Sequence, residues 1–439
     1  MNFVELPPQT RHNFPLEALY ETFMGLAQGL LLMAPVVAAN ALKANTIEMT
    51  AMVAATPVAA LLMPFWTQAA RAHRLQRLVI VSGLLRVVPL VAVSLVHSAA
   101  GFVALLLLDP FVAGPLLLAV PSLYKYNYPD SHRARLIGWL RFVSNAALIP
   151  VMLGASLLID YHPELYRLLY PLGGMACLAA ILCYSRLRIP NDRPRERSQT
   201  APARPWRELH DVLEADQAFR LFQSSVFLTG AAFMVSRHIL LITLRDEYHL
   251  TTFALTFLMM ALPQMLGGLT SPFWGAFIDR TNPVRVRVVF CLLAVAAYAF
   301  FFASMVTHSV AVVYVASILR GIAIGGGEVT YTTGNIFFAA VPQRVTLYNG
   351  VAQLLQGVRG LVMPVVGSVA FTMVGGYVFL LSTGFSVVSW VLAVKVARMV
   401  RLEPPEARLP SEAKGERKPP AASAAPPPAE RVAEAASAG

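Results

Sequence analysis

Pro64-Phe65-Trp66 and Pro272-Phe273-Trp274 are one tripeptide met twice, 208 residues apart (272 − 64) in a chain of 439. Each copy closes a long apolar run and is followed by a short basic stretch and a second apolar run. Other landmarks recur at nearly the same spacing: Gly114 and Gly325 differ by 211, Pro129 and Pro342 by 213, Gly154 and Gly367 by 213. A repeat of this period comes before any local reading, because it fixes the unit that folds. The chain reads as two related halves joined head to tail.

Both halves belong in a membrane. Hydrophobic residues make up 56% of the chain and charged ones 13%, with a mean hydropathy of +0.59; a soluble domain carries about 25% charged residues. Apolar runs of roughly 20 residues suffice to cross the bilayer core as helices. Twelve such spans are read, over 16–39, 47–69, 78–97, 100–123, 136–158, 166–186, 219–243, 253–277, 286–306, 309–337, 347–372 and 376–397. The expected fold class is an all-α membrane protein with twelve transmembrane helices in two pseudo-symmetric six-helix bundles. Residues 1–186 form the first bundle and 219–400 the second. Between them, 187–218 are Pro- and Arg-rich and then amphipathic through Trp206, Leu209, Val212 and Leu213, the pattern of a linker with a short helix lying along the membrane face. The tail, 401–439, has too few large apolar residues to fold.

The net charge of +11 is gathered in the turns. Arg71, Arg74 and Arg77, then Lys125, Arg133 and Arg135, then Arg280, Arg285 and Arg287, and the arginines between 186 and 207 all fall on one side of a twelve-span layout. The other side has little beyond Lys43, Arg167 and Arg245. The excess of positive charge on inner loops places that side, both termini included, in the cytoplasm; the expected location is a bacterial plasma (inner) membrane. Basic residues distributed in this way exclude nucleic acid as a partner. Cys177, Cys183 and Cys291 lie inside apolar runs without paired spacing, giving neither a disulfide framework nor a metal site. The first apolar run lacks a small-residue cleavage signature and reads as a retained helix.

Twelve spans, a six-plus-six repeat and a long basic central loop resemble the major facilitator superfamily, over roughly residues 14–400. Gly275-Ala-Phe-Ile-Asp279-Arg280-Thr-Asn-Pro-Val-Arg285 is similar to the family's loop signature Gly-x-x-x-Asp-Arg/Lys-x-Gly-x-Arg/Lys, with Asn282 where the later glycine is expected. The resemblance implies a latch in which Asp279 pairs with arginines of neighbouring helices when the cytoplasmic side is shut. The equivalent first-half loop departs from it: Thr67 replaces the glycine and Arg71 the aspartate. Arg320-Gly-Ile-Ala-Ile-Gly325-Gly326-Gly327 resembles an Arg-x-x-x-Gly-x-Gly pattern better known from the fourth span, and such glycines equally serve close helix packing. The fifth-span signature of proton antiporters is not present in 136–158, where only Asn145, Pro150 and Gly154 remain.

Charges at membrane depth are functional candidates by default, because each is costly to keep there. Asp109 lies midway along the fourth span and Arg320 midway along the tenth, 211 residues apart and opposite in sign. The family's first, fourth, seventh and tenth spans line its central cavity, so these two are expected to face one another across the substrate path. Glu21 on the first span is expected to face the cavity, with Glu17 one turn away at the interface. Glu328 leads into a polar strip from Thr330 to Asn335 that reads either as cavity lining or as a helix end emerging into the cytoplasm. Arg237 and His238 on the seventh span read as an interfacial pair or as a group that titrates near neutral pH. Arg359 on the eleventh span is expected between the bundles; Arg86 and Arg141 lie on the third and fifth, Arg141 near the cytoplasmic end.

These features predict a secondary transporter of a small organic solute that works by alternating access around a mid-membrane site. No nucleotide-binding motif is present, so a proton or solute gradient supplies the energy, with no cofactor and no metal. Solute, lipid and protons are the expected partners of a monomer. A membrane sensor or assembly partner that keeps the fold without transport is the alternative, and it has no long soluble signalling domain to support it. An enzyme is not expected, since clustered intramembrane ligands or a nucleophile–base pair are missing.

Overall fold

Apolar runs of this length fold as helices because only a helix satisfies every backbone N–H and C=O within its own segment when no water is near. The computed structural model describes residues 6–190, 192, 204–246, 248, 257–339 and 341–402. Among these, nine helical stretches are long and apolar enough to cross a membrane, or ten with the bent pair Thr46–Leu61 and Met63–Ala72. One of the nine, Arg344–Arg401, is 58 residues long and contains two helices, Pro342–Val374 and Val378–Leu402, parted at Gly375 by a positive φ of 56°. The eighth span appears as a π-turn, Phe257–Ala261, running into the helix Leu262–Arg280; its expected start lies outside the described residues. Taken in this way, the helices follow the twelve expected segments in order and form the two six-helix bundles.

The remaining spans are Pro8–Leu32 with its continuation to Ala41, then Leu75–Leu95, Ala99–Asn127, Arg133–Ile159, Pro163–Ser185, Gln217–Asp246, Pro283–Thr307 and Val310–Phe338. Their ends carry the sequence logic. Asn45 caps the second span: its side chain accepts the Glu48 N–H at 3.0 Å while the Glu48 carboxylate accepts the Asn45 N–H at 2.7 Å. That span bends by 49° where Leu61 meets Met63, because Pro64 lacks the N–H that would continue the helical ladder. Pro272, its partner in the repeat, sits inside an unbroken helix. The repeat therefore holds for topology and loosens in local shape.

Polarity is arranged inside out. Phe273, Val88 and Val365 are 75%, 62% and 62% exposed, as befits surfaces that meet acyl chains, while buried Ser225, Ser386 and Asn335 lie inside the second bundle. Contacts between chain ends define one common face. Thr10 and Asn13 bond to Asn127, Asn13 also to Arg188, and the Asp192 carboxylate accepts the Leu75 and Gln76 N–H groups at 3.0 and 2.8 Å. This is the arginine-rich face. Its linker helix, Pro205–Ala215, docks on protein: Glu208 pairs with Arg71 of the second span, Leu209 is buried against the core, and Tyr348 donates to Asp216 at 3.2 Å. Trp206 stays exposed. The expected tail beyond Leu402 and the middle of the linker, 193–203, lie outside the described residues.

The two repeated tryptophans make equivalent contacts. Trp66 fills the notch left by Gly114 on the fourth span, and Trp274 the notch left by Gly326 on the tenth; a Cβ on either glycine would meet indole atoms at 2.6 and 2.9 Å respectively.

Candidate functional site

The seam between the bundles is built from glycines. Gly138 on the fifth span lies against the backbone of Ser271 and Pro272 on the eighth, and Gly275 lies against Ala134 and Arg135, each so tightly that a Cβ would collide with backbone atoms. On the other flank Gly357 and Gly360 of the eleventh span seat Pro57 and Ala60 of the second. Small residues let backbones approach where no hydrophobic drive separates protein from lipid.

Asp279 completes this seam in an unexpected way. The resemblance predicts a pairing with arginines; instead, the Asp279 carboxylate accepts the backbone N–H groups of Ala134 and Arg135, both at 2.9 Å. These are unsatisfied donors of the first turn of the fifth span, where a negative charge is also favoured by the helix dipole. Arg280 and Arg285 are exposed, and among the described residues neither lies within salt-bridge distance of a carboxylate. Asn282, standing in place of the expected glycine, has its own function: its Oδ1 accepts the Arg285 N–H at 2.8 Å and caps the ninth span. In the first half Thr67 packs on Gly350 of the eleventh span, so the close-approach glycine has moved to the partner helix. Arg71, standing where the acid is missing, anchors the linker helix through Glu208. Ser122 and Thr346 add a hydroxyl contact of 3.1 Å across the same face.

Asp109 and Arg320 do not face one another. Asp109 is held by Arg86 of the third span through two hydrogen bonds, Nε at 2.7 Å and Nη2 at 3.1 Å, a fork-to-carboxylate pair wholly inside the first bundle. The fourth-span helix turns that side chain towards the third span, a rotation that the mid-span position alone did not specify. Arg320 points towards the seventh span and lies over the Phe233 ring at 4.6 Å. Glu17, expected at the interface, is 1% exposed; Asn127 donates to it at 2.7 Å and Tyr128 is a second, very close donor.

At the seam the charges of interest are Glu21 and Arg141 of the first bundle and Glu328 of the second. Arg141 Nη1 lies 3.9 Å from Glu21 Oε2, and Tyr124 donates its hydroxyl to the other Glu21 oxygen at 3.1 Å. Arg141 also acts electrostatically on Glu328, which belongs to the tenth span and the second bundle. Arg141, read as lying near the cytoplasmic end, stands in the first third of its helix and faces the seam, one helical turn beyond Gly138 on the same face. Only the one-turn spacing from a glycine of the packing face could have signalled it. Glu328 is half-buried within an unbroken helix whose polar strip, Thr330, Thr332, Thr333 and Asn335, is buried, which disfavours the reading as an emerging helix end. Arg359 reaches the seventh span, where Gly230 leaves room for its guanidinium and Val226 O accepts from Nη1 at 3.0 Å. Arg237 is exposed, and the His238 side chain lies outside what is described. One group of metal-ligand types occurs among the described residues, His210, Asp211 and Glu214 on the linker helix; all three are exposed and nothing buried supports them.

The Major Facilitator Superfamily profile matches residues 19–358. No curated protein sequence matches the chain. Solved structures do. The human organic anion transporter aligns with a TM-score of 0.66 and 14% identity, covering 88% of this chain and 100% of that one. A bacterial homologue of the iron transporter ferroportin in an outward-facing state gives 0.69 and 14%, covering 88% and 99%. The Escherichia coli fucose:proton symporter gives 0.68 and 15%, covering 87% and 98%. At such identities the likeness speaks for the fold alone. With a profile match over most of its length, and two helical bundles meeting along a glycine-built seam, the chain belongs to the Major Facilitator Superfamily, a family of membrane transporters and not of enzymes.

Proposed function

We propose that the protein is a secondary transporter that moves a small organic solute by alternating access, with its arginine-rich face in the cytoplasm of a bacterial inner membrane and its energy taken from a proton gradient. The observation that carries this reading is the position of Arg141. The two carboxylates whose fields it feels lie on different bodies: Glu21, 3.9 Å away, moves with it in the first bundle, and Glu328, beyond salt-bridge distance, belongs to the second. Any rocking of one bundle against the other changes the Arg141–Glu328 separation while leaving Arg141–Glu21 in place. A carboxylate that loses a neighbouring cation in a water-poor setting binds a proton more readily. Glu328 is therefore the coupling residue of this proposal, with Glu21 holding Arg141 in position. Asp109, tied to Arg86 within one rigid unit, has no partner that the motion would exchange. The fucose:proton symporter, similar in fold, couples its solute to protons, which is compatible with this assignment.

The test uses proteoliposomes and a panel of radiolabelled organic solutes. The wild-type protein should accumulate one of them when a pH gradient is imposed. Glu328→Gln should lose that accumulation while retaining exchange of labelled for unlabelled solute across the membrane. Full gradient-driven uptake by the Gln variant would remove Glu328 from the coupling step. A fold-retaining sensor without transport would show neither activity in the wild type.

A further inference from the structure

Three arginines are buried inside the second bundle with no acid among the described residues to answer them. Arg287, Arg320 and Arg359 are 2%, 7% and 8% exposed, and among the described residues none lies within 4.0 Å of a carboxylate. Arg287 is accommodated by neutral groups: Ser225 and Thr229 accept from it at 3.0 and 3.1 Å, and its guanidinium lies 5.4 and 5.3 Å from the Phe222 and Phe290 rings. Arg320 and Arg359 are not so settled. The Nε of each is buried without a hydrogen-bond partner among the described residues. Both pack on one face of the seventh span, Arg359 against Val226 O and Gly230 and Arg320 over Phe233 a turn further on, so the two guanidinium groups border one region of the bundle interior.

The internal repeat sharpens the anomaly. Arg86 and Asp109 form the ion pair of the first bundle; the positions displaced by 212 and 211 residues in the second hold Tyr298 (298 − 86) and Arg320 (320 − 109). One half holds a cation and an anion at these positions, while the other holds a phenol and a cation. A guanidinium stays charged at any pH a cell meets, so it cannot escape by losing its proton. Burying an ion without a counter-ion is among the heavier penalties a fold can carry, and residues that incur it inside a membrane persist for function. A bound anion could supply the negative charge that these groups lack among the described residues.

We propose that Arg320 and Arg359 bind the carboxylate of an organic anion, and that this anion is the solute carried. The planar fork of arginine matches a carboxylate in two parallel hydrogen bonds, and the free Nε atoms are donors that such a ligand would satisfy. The Phe233 ring beneath Arg320 holds the guanidinium flat and offers an apolar wall to the organic part. Beside Arg359 the bundle reaches its surface. Gln356, one turn earlier on the eleventh span, is exposed and accepts from the half-buried Tyr331 hydroxyl at 3.3 Å. Calling the anion the transported solute rests on the transport reading above; the binding site does not.

The test is thermal unfolding of the purified full chain in a neutral detergent with acetate, succinate and benzoate, each against its uncharged amide. At least one carboxylate should raise the unfolding temperature in a concentration-dependent way where its amide does not. Arg320→Gln or Arg359→Gln should weaken that binding about tenfold or more, the scale of a lost charge-assisted hydrogen bond. Without ligand, both variants should be at least as stable as the wild type, because an uncompensated ion is gone. Arg359→Lys keeps the charge without the fork and should recover part of the affinity. If no carboxylate exceeds its amide, or if stabilisation survives both glutamine variants, the site is wrong. The same chemistry could be met by the phosphate of an acidic lipid, so unfolding is also compared in phosphatidylcholine nanodiscs with and without phosphatidylglycerol. Arginine-dependent stabilisation by that lipid alone would overturn the solute assignment. A carboxylate that binds but is not moved into proteoliposomes would leave the site standing and refute the transport reading.

Discussion

Asp279 receives the backbone N–H of Ala134 at 2.9 Å, and that of Arg135 at the same distance, so an acid of one bundle closes the amino end of a helix in the other. The contact depends on charge, because two donors and the positive end of a helix dipole converge on it. It exists only while the arginine-rich faces of the bundles are together. Replacing Asp279 by Asn keeps size and one acceptor but removes the charge, which costs the closed arrangement about 1–2 kcal/mol. That corresponds to a shift of roughly 5- to 30-fold towards conformations open on this face. A cysteine at Thr346, buried at 4% exposure beside Ser122 of the other bundle, should react with a soluble maleimide faster by about that factor in the Asp279→Asn background. Equal labelling rates with and without the carboxylate would show that this contact does not hold the bundles together.

Gly138 makes the same seam sensitive to bulk. A Cβ at this position would collide with the Ser271 backbone, which cannot swing aside as a side-chain tip could. Gly138→Val should therefore open this face without unfolding either bundle, whereas Gly154→Val, at a position with nothing within 4 Å of the added Cβ, should be silent. Distances between spin labels on the fifth and eighth spans measure the difference. Unchanged distances in the Gly138 variant would contradict the seam described.

Arg86 and Asp109 are a structural pair, and their energetics separate them from the coupling machinery. Either partner left alone becomes a buried, uncompensated charge, at a cost of about 3–5 kcal/mol. Removing both together, as in Arg86→Met with Asp109→Leu, is close to neutral in that regime. The single variants should unfold at clearly lower temperature and the double variant near the wild type, with transport retained. A double variant that folds normally yet has lost gradient-driven uptake would restore Asp109 to the mechanism.

The fold could be read in the sequence because membrane topology depends on features that a linear chain displays. Twelve apolar runs, arginines sorted to alternate turns, and a repeat near 210 residues survive any local irregularity. The loop ending in Arg285 was legible as an inter-bundle element for the same reason, although its partner was not: Asp279 binds backbone N–H groups, and every residue carries those. Rotations about helix axes were the illegible part. Depth along a span is counted in residues, but the direction in which Asp109 points depends on which neighbour packs beside it, and a span apolar on every side gives no periodicity to orient it. Arg86 was visible as an intramembrane charge and Arg141 as a residue near the span end. What no spacing revealed was that Arg86 neutralises Asp109 and that Arg141 stands beside Glu21.

Trp66 and Trp274 provide the last prediction, since the repeat gives two nearly matched sites that differ in one hydrogen bond. Both indoles fill glycine notches, so replacing either by phenylalanine loses similar packing. Trp274 Nε1 donates to Ile322 O at 3.0 Å, whereas Trp66 Nε1 is buried without a partner among the described residues. A typical net hydrogen bond contributes about 0.5–1.5 kcal/mol, and an unanswered buried donor costs about 1–3 kcal/mol. Trp274→Phe therefore loses a favourable term, while Trp66→Phe sheds an unfavourable one. The two variants should differ by about 1.5–4.5 kcal/mol, with Trp274→Phe the less stable. Chemical denaturation in mixed micelles, followed by the remaining tryptophans, provides the measurement. Equal losses at the two sites, or a larger loss at Trp66, would mean that a hidden partner satisfies Trp66, and the asymmetry between the halves would then lie elsewhere.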